Sequence, residues 1–302
     1  VGAEWIVPGQ WFRRNKNISA ENPMLALHRE AVGLVQRRNA HAVVLMNGRR
    51  HLIVSSAAIP DQPFELRGIV QNNSTRVLPG SINDEDCRFL AKLGTLDELN
   101  LSGAEASLVG LRELGANNPV IALSIPRRLR NTESVLTAFP NLKSVWPPYE
   151  GTDQFIAAMK GNPKIIDVNL YRTKVTLQGI ADLGTLPNVS NLMLDALDGR
   201  EATVAMLKAL SAYPRLEHLR VDLFGHVEPR DLAPLKKIKT LKSISAWPGG
   251  DASSVDMQRY LQSEFTHCEL PDWSSRETFE KIYQDLMAFD PEPSVFPGPN
   301  DK

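Results

Sequence analysis

The apolar residues of this chain fall in a cadence that neither a helix nor an amphipathic strand makes. In LGTLDELNLSGAE, Leu93 to Glu105, Leu96, Leu99 and Leu101 are separated by three residues and then by two. A helix steps by three and four, and a half-buried strand steps by two throughout. The same spacing returns at Val120/Leu123/Ile125, Ile165/Val168/Leu170, Val189/Leu192/Leu194, Leu216/Leu219/Val221 and Leu241/Ile244/Ala246, with a degraded copy at Leu142/Val145/Pro147. Successive starts, from Leu96 to Leu241, are 24, 22, 23, 24, 27 and 25 residues apart. Such a period marks a repeat architecture.

Proline punctuates the same register. Pro119, Pro140, Pro163, Pro187 and Pro214 each lie one or two residues ahead of a start. Proline cannot continue a helix and pushes its predecessor toward extended backbone, so each one predicts an exit from helix to strand. The segments before them have helical apolar spacing: Val135, Leu136 and Phe139; Phe155, Ile156 and Met159; Val204, Leu207 and Leu210. Each unit is expected to run strand, loop, short helix, turn. Stacked units then form a curved parallel sheet with helices on its convex side, since no unit buries its apolar face alone.

LDELNL, IIDVNL and VSNLML carry the first half of the pattern L-x-x-L-x-L-x-x-N-x-L, and on these registers the chain resembles the leucine-rich repeat family from about Phe64 to Leu270. The resemblance implies an α/β solenoid. It also implies an Asn ladder through the loops, but those positions hold Ala104, Arg128, Glu150, Thr173, Leu197, Phe224 and Gly249, of which Thr173 alone has suitable chemistry. Irregular loops are the expectation. INDEDCRFLAKLGTLDELNLSG and LYRTKVTLQGIADLGTLPNV resemble a bacterial subtype with repeats of about 24 residues, often joined to kinases or membrane anchors. Kinase signatures themselves are missing from this sequence.

An open solenoid needs caps. PMLALHREAVGLVQRRN reads as an amphipathic helix, and Asn47-Gly48 between HAVVLM and RRHLIVSS reads as a hairpin turn. Residues 1–62 are therefore expected to form an N-terminal cap, 63–270 the solenoid, 271–290 a capping helix and 291–302 a flexible tail. In the capping helix Ser274 and Glu277 have capping-box spacing, and Phe279, Ile282, Tyr283, Leu286 and Phe289 form a stripe that covers the last repeat or binds a partner. EWIVPGQWFRR, Glu4 to Arg14, packs on the cap or lies at a membrane surface. The chain opens at Val1 rather than Met, as a piece whose signal or anchor would lie upstream.

Composition narrows the function. Lys+Arg 34 against Asp+Glu 35 leaves a formal charge of −1, without the basic excess that holds a phosphate backbone. No run of about eighteen apolar residues is present to span a bilayer. The two cysteines, Cys87 and Cys268, are seven strand spacings apart in the expected coil, roughly 30 Å, and read as separate buried thiols. The six histidines show no HExxH or His-x-His, and CxxC, Gly-x-Ser-x-Gly and GxGxxG do not occur, so no metal or cofactor is expected. His218, near Asp195 and Asp222, reads as a surface histidine because the register places no nucleophile to complete a triad.

What the register does supply is a face. Side chains between the inward leucines point to the concave side, and they include Trp146, Asp167, Asn169, Tyr171, Asp195, Arg220, Asp222 and Trp247. Tyr, Trp and Arg dominate binding energy at protein interfaces. The two tryptophans pack over irregular loops or contact a partner. The sequence thus reads as a non-enzymatic module that recognises a protein or peptide on its concave face, not nucleic acid, and meets a membrane through an upstream anchor if at all. Its compartment is open, with a lean toward the cell envelope. The rivals are a hydrolase-like site between the N-terminal block and the first repeats, near Arg37, Arg38, Arg49, Arg50 and His51, and a purely structural cell-surface repeat.

Overall fold

The structure is a computed structural model that describes residues 4–5, 22–54, 57–71, 80–149, 151–224, 227–248 and 251–270, with residues 4–5 and 251–254 as backbone. The expected capping helix, the tail and most of EWIVPGQWFRR lie outside the described residues. The described residues divide into two compact units, one up to Pro119 and one from Val120.

In the first unit, helix α1 (Pro23–Arg37) starts where Asn22 accepts the Met24 N–H and Pro23 occupies the first turn. Its buried face is His28, Ala31, Val32 and Val35, while Leu25, Leu27 and Leu34 stay half-buried. Strands β2 (His41–Met46) and β3 (Arg49–Ile53) form the antiparallel hairpin, and Asn47 and Gly48 turn it at φ 52° and 76°. Positive φ at both positions is what this turn demands and what Asn-Gly tolerates. The two-residue strand β1 (Glu4–Trp5) lies parallel to β3. Strand β4 (Glu65–Val70) is antiparallel to β2 and parallel to β5 (Glu98–Asn100), so it joins the hairpin to the repeat geometry. Helix α2 (Asp84–Leu90) is opened by a capping box between Asn83 and Asp86, and α3 (Leu108–Asn117) packs beside it.

The second unit repeats one theme. Strands β6 (Ala122–Ser124), β7 (Ser144–Trp146), β8 (Asp167–Asn169), β9 (Asn191–Asp195), β10 (His218–Asp222) and β11 (Ser243–Trp247) are all parallel, each paired with the next. A further bridge from Ser243 to Glu269 adds one more step. Leu123, Val145, Val168, Leu192, Leu219 and Ile244 stand in register and are buried, as the fourth position of the cadence requires. Helices α4 (Asp153–Met159), α5 (Leu177–Leu183), α6 (Arg200–Leu210) and α7 (Asp251–Glu264) return the chain between strands or follow the last one, and bury residues such as Ile156, Ile180 and Leu207. Each such side chain contributes about 1.5–3 kcal/mol.

Two connections are 3-10 rather than α. Thr132–Ala138 lies in the shortest repeat, and a 3-10 helix covers more length per residue than an α-helix. Pro229–Lys237 contains Pro234, which has no N–H to donate. The degraded copy Leu142/Val145/Pro147 gives a three-residue strand, the same length as β6 and β8.

Where the family has its Asn ladder, this chain does something else. Thr173 donates its hydroxyl to Leu170 O at 2.8 Å, inside its own turn. Arg172 and Phe224 take left-handed backbone, at φ 58° and 48°, while Glu150 and Gly249 lie outside the described residues. Several of the bonds between repeats sit at the helix exits. Asn118 accepts the Leu96 N–H at 3.0 Å, Asn162 donates to Phe139 O at 3.4 Å, and Asn188 donates to Pro163 O at 2.6 Å. Thr95 and Thr240 likewise donate to Leu66 O and Leu216 O, both at 2.7 Å.

Candidate interaction surface

In β8 to β11 every second residue alternates with the buried apolar residues and is at least partly exposed except Asp222, and parallel pairing lines these residues up in rows across the strands. One row runs Ser144, Asp167, Asn191, His218, Ser243. Ser144 donates its hydroxyl to Asp167 at 2.7 Å, and His218 Nδ1 lies 2.7 Å from Ser243 Oγ. Burial holds the Asp167 carboxyl above its ordinary range, opposed by the Ser144 bond and by His218. His218 therefore belongs to Asp167 and Ser243; the acid pair Asp195 and Asp222 is two pleats further along the strands.

The next row carries Asn169, Met193, Arg220 and Ser245 in register. Asn169 has a local task as well, accepting the Tyr171 N–H at 2.8 Å and turning the chain out of β8. Trp146 is half-buried on β7. Four strand spacings, roughly 19 Å, separate it from Trp247, so the two tryptophans do not form one patch.

The third row holds the densest chemistry. Asp195, Asp222 and Trp247 are register partners on β9, β10 and β11. Tyr171 stands one strand earlier, and the N–H of the following Arg172 donates to Asp195 Oδ2 at 2.7 Å. Asp222 is 5% exposed, and Arg220 Nε reaches its Oδ1 at 3.4 Å. The Arg172 guanidinium lies 5.2 Å from the Tyr171 ring centre and 5.8 Å from that of Tyr149, which Arg127 also approaches at 4.5 Å. Burial pushes the Asp195 carboxyl up to about 6, against the pull of the Arg172 N–H and with a further push from Asp222. Burial raises Asp222 too, opposed by Arg220. The Tyr171 hydroxyl is raised by burial, with both carboxylates adding to the push.

Of the eight residues the sequence singled out, four (Tyr171, Asp195, Asp222 and Trp247) thus meet in one line, and Arg220 borders it. Asp167 and Asn169 lie in the neighbouring rows, and Trp146 stands apart. Arg172 and Tyr149 escaped the sequence reading. Tyr149 sits in the VWPPYE phrase beside Trp146, but the left-handed turn that brings Arg172 over both rings has no sequence signature.

The N-terminal block presents a different picture. Arg50 pairs with Asp97 at 2.9 Å and Glu98 at 2.5 Å, and Arg67 joins Asp97 at 2.6 Å, so these cations neutralise buried carboxylates. His28 is a core residue whose Nδ1 accepts the Leu66 N–H at 3.1 Å, and burial lowers its pKa. An open cleft of about 420 Å³ lies between α1 and α2, lined by Glu30, Leu34, Arg37, Arg38, Glu85, Asp86 and Phe89. Asp86 there is already engaged by Arg38 at 2.8 Å and by the Asn83 N–H at 3.0 Å. Among the described residues no group of three or more His, Cys, Asp or Glu is placed to hold a metal ion, and no helix is long and apolar enough to cross a membrane.

No family model matches the chain, and no curated protein matches it. Among solved structures it is similar to the crystal structure of an internalin from Listeria monocytogenes str. 4b F2365, with 14% identity and a TM-score of 0.34. The match covers 63% of this chain and 51% of that one, so the chain spans about half the length of that protein.

Proposed function

We propose that the chain is a non-enzymatic recognition module of leucine-rich-repeat type that binds a protein or peptide on the strand face of its second unit. The supporting observation is the register itself. Parallel pairing from β7 to β11 turns isolated polar and aromatic residues into continuous rows, ending in Tyr171, Asp195, Asp222 and Trp247. An extended wall of this kind suits an interface of ordinary size better than a small molecule.

In this reading residues 1–62 cap a solenoid formed by 63–270, and 271–290 closes its far end. The module belongs to a larger bacterial protein that senses or scaffolds at the cell envelope. The hydrolase rival finds a cleft at α1 and α2, but of the basic residues proposed for it Arg50 is tied to Asp97 and Glu98, and Arg38 to Asp86.

A displayed random-peptide library selected on the full chain tests the proposal. Peptides that bind should lose most of their affinity for a variant with Trp146, Tyr171, Arg220 and Trp247 all changed to Ala. Undiminished affinity in that variant, folded by circular dichroism, contradicts it.

A further inference from the structure

Leu66 lies at a break in both of its ladders. The pairing of β4 with β2 shifts register between Val43 and Val44, and β5 joins β4 only from Gly68 onward. Side chains meet the Leu66 backbone instead: Thr95 donates its hydroxyl to the carbonyl at 2.7 Å, and His28 Nδ1 accepts the N–H at 3.1 Å. A peptide N–H only donates, so this geometry fixes the imidazole as neutral, with its proton on Nε2.

His28 is the one polar member of the stripe that α1 buries. It is 3% exposed and shares that stripe with Ala31, Val32 and Val35. The helix positions one turn away, Met24, Leu25, Ala31 and Val32, do not titrate. Arg29 donates to the Asp61 carbonyl, and Glu30 is exposed. Three elements pack against α1. Strand β4 brings Arg67, which is held by Asp97, and Glu65, whose charge favours a proton on His28; burial outweighs it and lowers the imidazole pKa. Strand β2 brings His41, lowered by burial as well, and α2 brings Glu85 and Asp86, the latter paired with Arg38 at 2.8 Å. Protonation ends the bond to Leu66, because a ring nitrogen that carries a proton cannot accept. It leaves two N–H groups facing each other inside an apolar stripe, which costs the folded state.

We propose that His28 is an acid-sensitive latch: its neutral ring holds α1 to β4, and on acidification the bond to Leu66 is lost and α1 opens from the sheet of the first unit, uncovering Ala31, Val32 and Val35. The open form takes up the proton at the ordinary histidine value, about 6.5, and the closed form at a lower one, so the latch is intact above about pH 6.5 and weakens as pH falls. The strand face of the second unit responds in the opposite sense. Burial raises Asp167, Asp195 and Asp222, so the folded state there holds its protons more tightly. Acid therefore loosens the helix of the first unit while the strand face stays folded, whatever that face binds.

Hydrogen–deuterium exchange of the full chain, corrected for the intrinsic pH dependence of amide exchange, tests the latch. The expected result is a rise of at least about tenfold in the opening of the α1 amides between about pH 7.5 and about pH 5, with β9 and β10 unchanged or more protected. His28→Gln, whose amide oxygen can take the Leu66 N–H and does not titrate, should abolish the rise, and His41→Gln should keep it. The latch is overturned by α1 opening that is equal at both pH values, by a rise that β9 and β10 share, by one that survives in His28→Gln, or by one that disappears in His41→Gln. Should circular dichroism show His28→Gln unfolded, the natural chain decides: the His28 imidazole, followed by NMR, titrates with the same midpoint as α1 opening, and separate midpoints overturn the proposal.

Discussion

The carboxylate of Asp153 grips Thr176, the residue that opens the helix of the next repeat. Oδ1 accepts the Thr176 N–H at 2.9 Å and Oδ2 accepts its hydroxyl at 2.6 Å. Asp84 grips Ser107 in the same way in the other unit, at 2.7 Å and 2.7 Å, again 23 residues away. A glycine three residues on completes the device: a Cβ on Gly179 would stand 2.1 Å from Asp153 Oδ1, and one on Gly110 would stand 2.5 Å from Asp84 Oδ1. The helices of adjacent repeats are thus stapled by a charge-assisted pair that needs an Asp, a Ser or Thr, and a Gly at fixed spacing.

Gly179→Ala and Gly110→Ala should therefore destabilise. Elsewhere in a helix the change from Gly to Ala gains up to about 1 kcal/mol. Here the methyl displaces the carboxylate, and a loss of about 1–3 kcal/mol is expected. Chemical denaturation measures it, with Gly161→Ala as the control, since its Cβ would meet nothing nearer than Ala158 O at 3.5 Å.

Tyr213→Phe should cost about 1–2 kcal/mol although it removes one atom. The buried Tyr213 hydroxyl donates to Ile180 O, one repeat earlier, and burial raises its pKa steeply. The carbonyl would keep only the Gly184 N–H, at 3.3 Å. Gly184→Ala disturbs the same contact, because its Cβ would stand 2.6 Å from Tyr213 Cε1. The two changes should be non-additive in a double-mutant cycle.

Asp195 makes stability depend on pH in the direction opposite to a salt-bridged carboxylate. Its folded pKa, about 6, lies above the roughly 3.9 of an unfolded aspartate. The folded state holds this proton more tightly, so the contribution is complete below about pH 4 and is lost as pH rises through about 6. The full shift corresponds to about 3 kcal/mol, and solvent access to the carboxyl reduces this to about 1 kcal/mol. Asp195→Asn should raise the unfolding midpoint at pH 8 and leave it nearly unchanged at pH 4. A higher midpoint at both pH values to the same extent would refute the assignment.

The cysteines should differ in reactivity. Cys87 is wholly buried and its thiol is pushed up to about 12, by burial first and then by the neighbouring carboxylates Asp84, Asp86 and Glu113. Cys268 is half-buried and its thiol is raised by burial alone. A thiol reagent at neutral pH should label Cys268 in the native chain and reach Cys87 at the rate of unfolding. Equal rates would contradict the placement of Cys87.

Much of this was legible from the cadence of apolar residues, because the step of three then two is dictated by how a short strand enters a coil. Val168, Leu192 and Leu219 could be aligned on paper, and with them the row containing Asp195 and Asp222. The Asp153–Thr176–Gly179 staple also left a sequence signal, matched by Asp84, Ser107 and Gly110, but it is carried by polar residues that apolar periodicity ignores. The 3-10 helix at Thr132–Ala138 was not legible, since Val135, Leu136 and Phe139 suit either helix type. Nor was the Arg172 guanidinium over Tyr149 and Tyr171, which depends on one left-handed residue. The unmet oxygen of Asp195 follows from that turn and is a property of three dimensions.

Hydrogen–deuterium exchange of the full chain, with and without a selected peptide, tests the central claim most directly. Protection gathered at Tyr171, Arg172, Asn191–Asp195, His218–Asp222 and Ser243–Trp247 is the predicted result. Protection confined to α1 and α2, with those strands unchanged, would move the working surface to the cleft between those helices and contradict the account.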